Sequence, residues 1–165
     1  MRRVVVTGLG IVSPIGNNAD EVLASLKAGK SGIEASPDMV EHGFRSQIAG
    51  TVKLNVADHV DKRTLRFMGP GAAYSYIAMK QAIEDAGLEE DQVVNPMTGV
   101  IAGSGGPSTS AMFAAHKVVE NTGATKRIGP FAVPKTMSST VSANLATAFQ
   151  IKGMNFSITS ACSTS

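Results

Sequence analysis

Three short apolar runs, each delivered into a turn, constrain this 165-residue chain more than any other feature. Arg3-Val4-Val5-Val6-Thr7 is β-branched and closed by Gly8 and Gly10. Thr98-Gly99-Val100-Ile101-Ala102 ends in Gly103-Ser104-Gly105-Gly106, and Asn155-Phe156-Ser157-Ile158-Thr159 runs into Ser160-Ala161-Cys162. Apolar runs this short, bounded by glycine and serine, read as buried strands. The segments between them carry helical signals. Strands alternating with helices imply a three-layer α/β architecture around a largely parallel sheet.

The helical signals are local. Asn18 and Glu21 have the spacing of a capping box, which predicts a helix over 19–28 that buries Val22, Leu23 and Leu26 and stops at Gly29. Proline is favoured at a first helical position, where its missing N–H would be unpaired anyway. A second helix therefore runs from Pro70 through Ala72, Ala73, Tyr76, Ile77, Met79 and Ile83 to Gly87. Pro107 and Ser108 open a third, to about Asn121. Residues 122–135, with Gly123, Gly129, Pro130 and Pro134, read as a loop, and 138–149 as a small-residue helix closed near Gly153. Residues 31–60 are mixed; 47–52 is a faint strand candidate, and 32–37 makes a poor strand. No internal repeat or low-complexity linker interrupts the chain.

Composition removes several classes of function. With 43% hydrophobic and 17% charged residues the chain is globular rather than disordered. No apolar run approaches the roughly 20 residues of a membrane span, and the run after Met1 is too short for a signal peptide, so a cytoplasmic location without membrane insertion is expected. Cys162 is the only cysteine, which excludes an internal disulfide and a four-sulfur zinc site. A formal net charge of +2, no Trp, six Phe and two Tyr argue against a nucleic-acid binder. The chain stops at Ser165, at what reads as an element boundary, so a fragment of a longer protein is expected.

Cys162 is the sharpest chemical candidate. It follows a strand and sits where the chain must turn. A helix beginning just after it would stabilise a thiolate through its dipole and free N–H groups and could donate to an oxyanion. A small buried hydrophobe is the other reading of a lone cysteine, and the residues alone leave both open. Gly8-Leu9-Gly10 after a strand resembles a dinucleotide fingerprint, with Ser13 in place of the third glycine. That fingerprint needs a helix starting at the second glycine, whereas Pro14 and Gly16 interrupt here, so a tight structural turn reads better. Gly103-Ser104-Gly105-Gly106 lacks the lysine of a phosphate loop and reads as a place of close backbone approach. His42, His59 and His116 lie in polar stretches and read as surface residues. Lys62, Arg63 and Arg66, with Lys126 and Arg127, form two basic clusters that suit either solvent or an acidic partner.

Four segments in this order and spacing resemble the N-terminal part of a β-ketoacyl-acyl-carrier-protein synthase. They are Val5-Val6-Thr7-Gly8-Leu9-Gly10, Ala102-Gly103-Ser104-Gly105-Gly106, Gly129-Pro130-Phe131 and Ser160-Ala161-Cys162-Ser163-Thr164-Ser165. The resemblance spans all 165 residues. Through Arg66-Phe67-Met68 and Pro134-Lys135-Thr136-Met137 it is nearest the bacterial type I enzymes, which commonly read Cys-Ala-Thr-Ser where this chain has Ser163.

The resemblance implies a thiolase-like fold, layered α-β-α-β-α when complete, of which residues 1–165 would be the N-terminal half, ending just after the nucleophile. It implies a homodimer in which the strand leading to Cys162 pairs with its counterpart. The implied reaction is decarboxylative Claisen condensation of an acyl thioester on Cys162 with malonyl-acyl carrier protein, without metal or cofactor. Cys162 would be nucleophile and backbone oxyanion donor. The two histidines and the lysine of such sites would lie downstream of it. Gly106, Met137 and Ala161 would line the acyl pocket, with Met137 reaching across the dimer interface. Arg63, Arg66, Lys126 and Arg127 would face acyl carrier protein in its acyl and malonyl forms. Two other classes stand beside this reading. An NAD(P)-binding oxidoreductase built on Gly8 and Gly10 would need an acidic residue closing a second strand, for which Glu34 is nearest. A non-catalytic thiolase-fold subunit of the chain-length-factor type would lack the nucleophile, and Cys162 argues against it.

Overall fold

The computed structural model describes residues 2–164, so Met1 and the Ser165 end of the last motif lie outside it. Two parallel strands, β3 (Val100–Gly103) and β4 (Asn155–Ile158), carry the candidate site. They pair in register from Val100 opposite Asn155 to Gly103 opposite Ile158, so both strands end side by side. Helix α8 (Thr140–Ala148) lies on this sheet, and α4 (Pro70–Asp85) packs on α8. Where the three layers meet, Met68, Ala72, Ala73, Ile77, Val100, Val141 and Leu145 form one buried cluster with Val60. Tyr76 and Phe149 stack beside it, ring centroids 4.9 Å apart.

The local signals explain most helices. Helix α1 (Ala19–Lys27) starts at Asn18, whose side chain accepts from Glu21 N at 2.9 Å. The reciprocal bond goes one residue earlier than a capping box requires: the Glu21 carboxylate takes the Asn17 N–H at 2.8 Å. Pro70 occupies the first turn of α4. α6 (Thr109–Thr122) is capped by Ser108, which accepts from Ala111 N. Gly29 and Gly87, at φ +61° and +62°, terminate α1 and α4 in the left-handed conformation that glycine adopts without a Cβ clash.

Other expectations are corrected. Residues 3–7 form no strand: no neighbour among the described residues pairs with them, and Val4 is 95% exposed. The expected sheet is therefore two parallel strands with one covered face, since a strand needs a partner that the β-branched run cannot supply itself. α1 buries Ser25, whose hydroxyl donates to Ile15 O at 2.6 Å, and not Leu23 or Leu26; Leu26 is 63% exposed, because no described element packs on that face. The poor strand candidate at 32–37 does form a strand. β1 (Ile33–Ala35) pairs antiparallel with β2 (Ile48–Gly50), tied beyond the ladder by Lys53 and Thr51 to the Glu34 carboxylate. Those bonds, the Lys53 one foremost, hold Glu34 below the usual carboxylate range. The expected loop at 122–135 contains a 3-10 turn (Thr125–Arg127) and the start of a short helix, α7 (Ala132–Thr136). Pro134 is tolerated there because it falls in the first turn. No helix among the described residues is long and apolar enough to cross a membrane.

Candidate functional site

Cys162 lies on a turn at the carboxyl ends of the two parallel strands, the edge where open α/β sheets place their ligands. Cys162 itself lies in a 3-10 turn over Ala161–Ser163. Cys162 is exposed in this chain. Bonds from Ser163 N to Ser160 O (3.0 Å) and from Thr164 N to Ala161 O (3.2 Å) close the turn, while no described acceptor takes the Cys162 N–H. A thiol and an unengaged N–H on one residue are the elements needed to form a thioester and to stabilise the oxyanion on the way. Ala161 stands at φ +49°, a conformation a non-glycine residue keeps only when its surroundings hold it there.

The glycines after β3 explain how the turn fits. A Cβ on Gly103 would strike the Thr164 methyl group and lie 2.7 Å from Ile158 O, and one on Gly105 would lie 3.2 Å from Ala161 O. Backbone approach is thus their role. Ser104 continues the contact, with its N–H on Ile158 O at 3.3 Å and its hydroxyl on Gly106 O at 2.7 Å. Gly106 itself faces open space and borders a depression with Ser104, Pro107, Ser108 and Thr140. Met137 is half-buried and borders a different cavity of about 470 Å³, with Arg63, Phe67, Pro134 and Asn144. Within this chain, then, Gly106 and Met137 do not line one pocket, and neither depression includes Cys162 or Ala161.

Two buried polar residues on α8, Asn144 bordering this second cavity and Thr140 the first depression, are ones the sequence reading passed over. Asn144 donates through Nδ2 to Thr140 O (2.8 Å) and Phe67 O (3.3 Å), and the Thr140 hydroxyl donates to Pro134 O (2.6 Å). A Thr and an Asn four residues apart in a helix of small apolar residues were the available signal. Together they fix the segment bearing Arg66 and Phe67 against α7.

The basic residues are exposed and lie on two elements. Arg63 is in α3 (Lys62–Leu65) and Arg66 caps it; Lys126 and Arg127 end the 3-10 turn before Gly129. Asp61 starts α3 by accepting from Arg63 N (2.8 Å), Thr64 N (3.2 Å) and the Thr64 hydroxyl. The Thr64 hydroxyl bond is the main reason its carboxyl lies below the ordinary value. Among the described residues the ion pairs are Lys53–Glu34 and Lys80–Glu84, so none of the four basic residues has a carboxylate partner there. Arg66 instead stacks on Phe131, which meets Phe67 edge-on at 5.0 Å. The three histidines are all exposed.

The dinucleotide alternative fails on geometry. A Cβ on Gly8 or Gly10 would strike the Ala82 or Ala78 carbonyl of α4, and the Leu9 and Ile11 N–H groups are taken by Asp85 (2.9 Å) and Gln81 (3.0 Å). These glycines seat a helix, not a pyrophosphate, and no helix starts at Gly10.

Cys162 thus stands on an exposed turn at the carboxyl end of a parallel strand, seated on the glycine-rich end of its neighbour. Residues 1–165 match the family described as "Beta-ketoacyl synthase, N-terminal domain", and the chain belongs to that family. It is 56% identical over 165 residues to 3-oxoacyl-[acyl-carrier-protein] synthase 1 of Haemophilus influenzae, all of this chain and 41% of that protein. It is 48% identical to the synthase 1 of Escherichia coli strain K12, again all of the chain and 41% of the relative. The chain therefore spans about two-fifths of the length of the curated relatives it matches. A β-ketoacyl synthase from Burkholderia phymatum superposes with a TM-score of 0.81 at 26% identity, covering 99% of this chain and 41% of that one. The thiolase-like α/β fold is that of these synthases.

Proposed function

We propose that residues 1–165 are the N-terminal half of a 3-oxoacyl-acyl-carrier-protein synthase of fatty-acid synthesis, with Cys162 as its nucleophile. The observation that carries this is the exposed Cys162 turn in a chain 56% identical throughout to such a synthase. Cys162 Sγ would attack the acyl thioester of acyl carrier protein, forming a new C–S bond as the carrier thiol leaves with a proton. The Cys162 N–H would donate to the oxyanion of that tetrahedral intermediate. Malonyl carrier protein then loses CO₂, and its enolate carbon attacks the acyl-cysteine carbonyl, expelling the Cys162 thiolate and releasing the 3-oxoacyl carrier protein. Gly106, Met137 and Ala161 would border the acyl chain in the assembled enzyme. Since Met137 and Gly106 border separate depressions here, Met137 serves the partner's pocket in this reading. Arg63, Arg66, Lys126 and Arg127, none paired to a described carboxylate, would receive the acidic carrier. The bare strand edges and the exposed Phe156 and Ile158 support a homodimer and a second half packed on this one. We place the enzyme in the cytoplasm with its carrier-protein substrates.

The test is acylation of the full-length enzyme by acyl carrier protein followed by peptide mass mapping. The adduct is expected on Cys162, and Cys162→Ala should abolish condensation. A Cys162→Ala enzyme condensing at the parental rate overturns the proposal.

A further inference from the structure

One side chain closes the turn that carries Cys162. Thr164 Oγ1 accepts the Ser160 N–H at 2.9 Å and donates its own proton to Ala161 O at 2.8 Å. Both bonds straddle Cys162 without touching it. The Ala161 carbonyl, which also accepts the Thr164 N–H, belongs to the residue held at φ +49°. A left-handed alanine relaxes unless its peptide groups are pinned, and here the Thr164 hydroxyl and amide pin the same oxygen. The opposite side of Thr164 is occupied too. Its methyl group lies against the Gly103 Cα, in the space a Cβ would need, so the residue that laces the turn also seats it on the end of β3.

We infer that Thr164 is a positioning residue for the Cys162 thiol, its hydroxyl holding turn 160–164 in the shape that presents Sγ and N–H together. The inference rests on the proposed acylation of Cys162 and adds no chemical step to it. Thr164 neither gives nor takes a proton in the thioester exchange. It keeps one residue's nucleophile and oxyanion donor in mutual register, and misplacement of a reacting group by about 1 Å can cost about 100-fold in rate.

The substitutions separate hydroxyl from shape. Thr164→Val keeps the methyl contact with Gly103 and loses both side-chain bonds; Thr164→Ser keeps the bonds and loses the methyl group. In the full-length enzyme, Thr164→Val should lower the rate of Cys162 acylation by acyl carrier protein about 10-fold or more, with KM little changed. Alkylation of the same thiol by iodoacetamide, which demands no such register, should change far less. Thr164→Ser should acylate near the parental rate. Amide hydrogen exchange at Ser160 should be protected in the parent and in Thr164→Ser, and lost in Thr164→Val. Thr164→Ala, which cannot overfill the site, replaces the valine variant if that one does not fold. Parental acylation in the variant without the hydroxyl, or an equal loss in Thr164→Ser, overturns the inference. An enzyme that alkylates at Cys162 yet never acylates overturns the proposed function alone; the inference about the turn is then decided by Ser160, and unchanged protection without the hydroxyl overturns it.

Discussion

The Arg66 guanidinium stands 5.2 Å from the centre of the Phe131 ring, and this contact joins the two basic clusters that sequence reading kept apart. Phe131 follows the Thr125–Arg127 turn by a few residues, and Phe67 braces it edge-on. A cation over an aromatic face is held in place while its charge stays available to solvent. Arg66 is thus an oriented charge on a short capped helix, whereas Lys126 and Arg127 sit between Gly123 and Gly129, both in the left-handed region.

Carrier-protein binding should therefore depend on Arg63 and Arg66 more than on Lys126 and Arg127. Exposed charge pairs contribute roughly 0–1 kcal/mol each and are screened by salt. Reversing both arginines should raise the apparent KM for acyl carrier protein severalfold, with an effect that shrinks as ionic strength rises. A KM unchanged at low salt would remove this patch from the interface.

Asn144 should matter more than its place on a small-residue helix suggests. It is buried, and Asn144→Ala would withdraw the donor from the Phe67 and Thr140 carbonyls. Thr140 O keeps its helical donor, so the loss is that of side-chain hydrogen bonds, about 0.5–1.5 kcal/mol. Urea unfolding of the full-length enzyme should show a loss of that size, with little change in m-value. A variant as stable as the parent would mean that water replaces the amide at no cost.

Asp61 gives the fold a weak acid sensitivity at α3. Its carboxyl lies below the ordinary value of 3.8, first because of the Thr64 hydroxyl bond and then through backbone amides. A depressed carboxylate stabilises the folded state fully above the unfolded value, and that contribution fades as pH falls through the folded one. The stability difference between the parent and Asp61→Asn should be flat above about pH 5 and shrink below about pH 4. Chemical denaturation across that range is the check, and a difference that grows on acidification would reverse the assignment.

What the sequence made legible depended on how local the cause was. α4 and α6 could be read because Pro70, Ser108 and the glycines after them act within a turn of their own position. β3 and β4 stood out as apolar runs ending in turns, and their pairing followed from the α/β alternation. Residues 3–7 misled because a strand exists only with a partner, and their β-branched side chains say nothing about where one is. β1 escaped because its stability is cross-strand: Glu34 is fixed by Lys53, 19 residues away. At the site, Cys162 was legible as the lone thiol in a turn. Asn144 showed only its spacing from Thr140, since its other partner, Phe67, is brought to it by the fold. Thr164 has its hydroxyl partners Ser160 and Ala161 close in sequence, but the left-handed Ala161 that makes those bonds matter and the Gly103 contact exist only in the fold.

Gly8 and Gly10 supply a sharp test of that packing. Each lies so close to α4 that a methyl group would collide with a helix carbonyl, a backbone atom that cannot swing aside. Gly8→Ala and Gly10→Ala should each cost about 1–3 kcal/mol or more, as overfilled packing does, and lower the melting temperature by several degrees. Nicotinamide nucleotides should leave the melting of the parent unchanged. A parental melting temperature in both variants would show that the segment does not rest on the helix.

The 165-residue chain produced alone should associate instead of remaining a monomer. Among the described residues its parallel sheet has two strands, so each has a neighbour on one side only, and Phe156 and Ile158 are 51% and 44% exposed. Val4, Val5 and Val6 are exposed as well, on a β-branched segment that no described strand pairs with. Open strand edges beside contiguous apolar surface are templates for edge-to-edge pairing. The same isolated chain should take an acyl group slowly, if at all, and should not condense it with malonyl carrier protein. In the proposed reading, proton handling in that step would belong to histidines downstream of Cys162. Size-exclusion chromatography with light scattering should return oligomers whose mass rises with concentration. A cooperatively melting monomer would show that these faces need no cover, and with that the reading of residues 1–165 as half of a larger fold would fall.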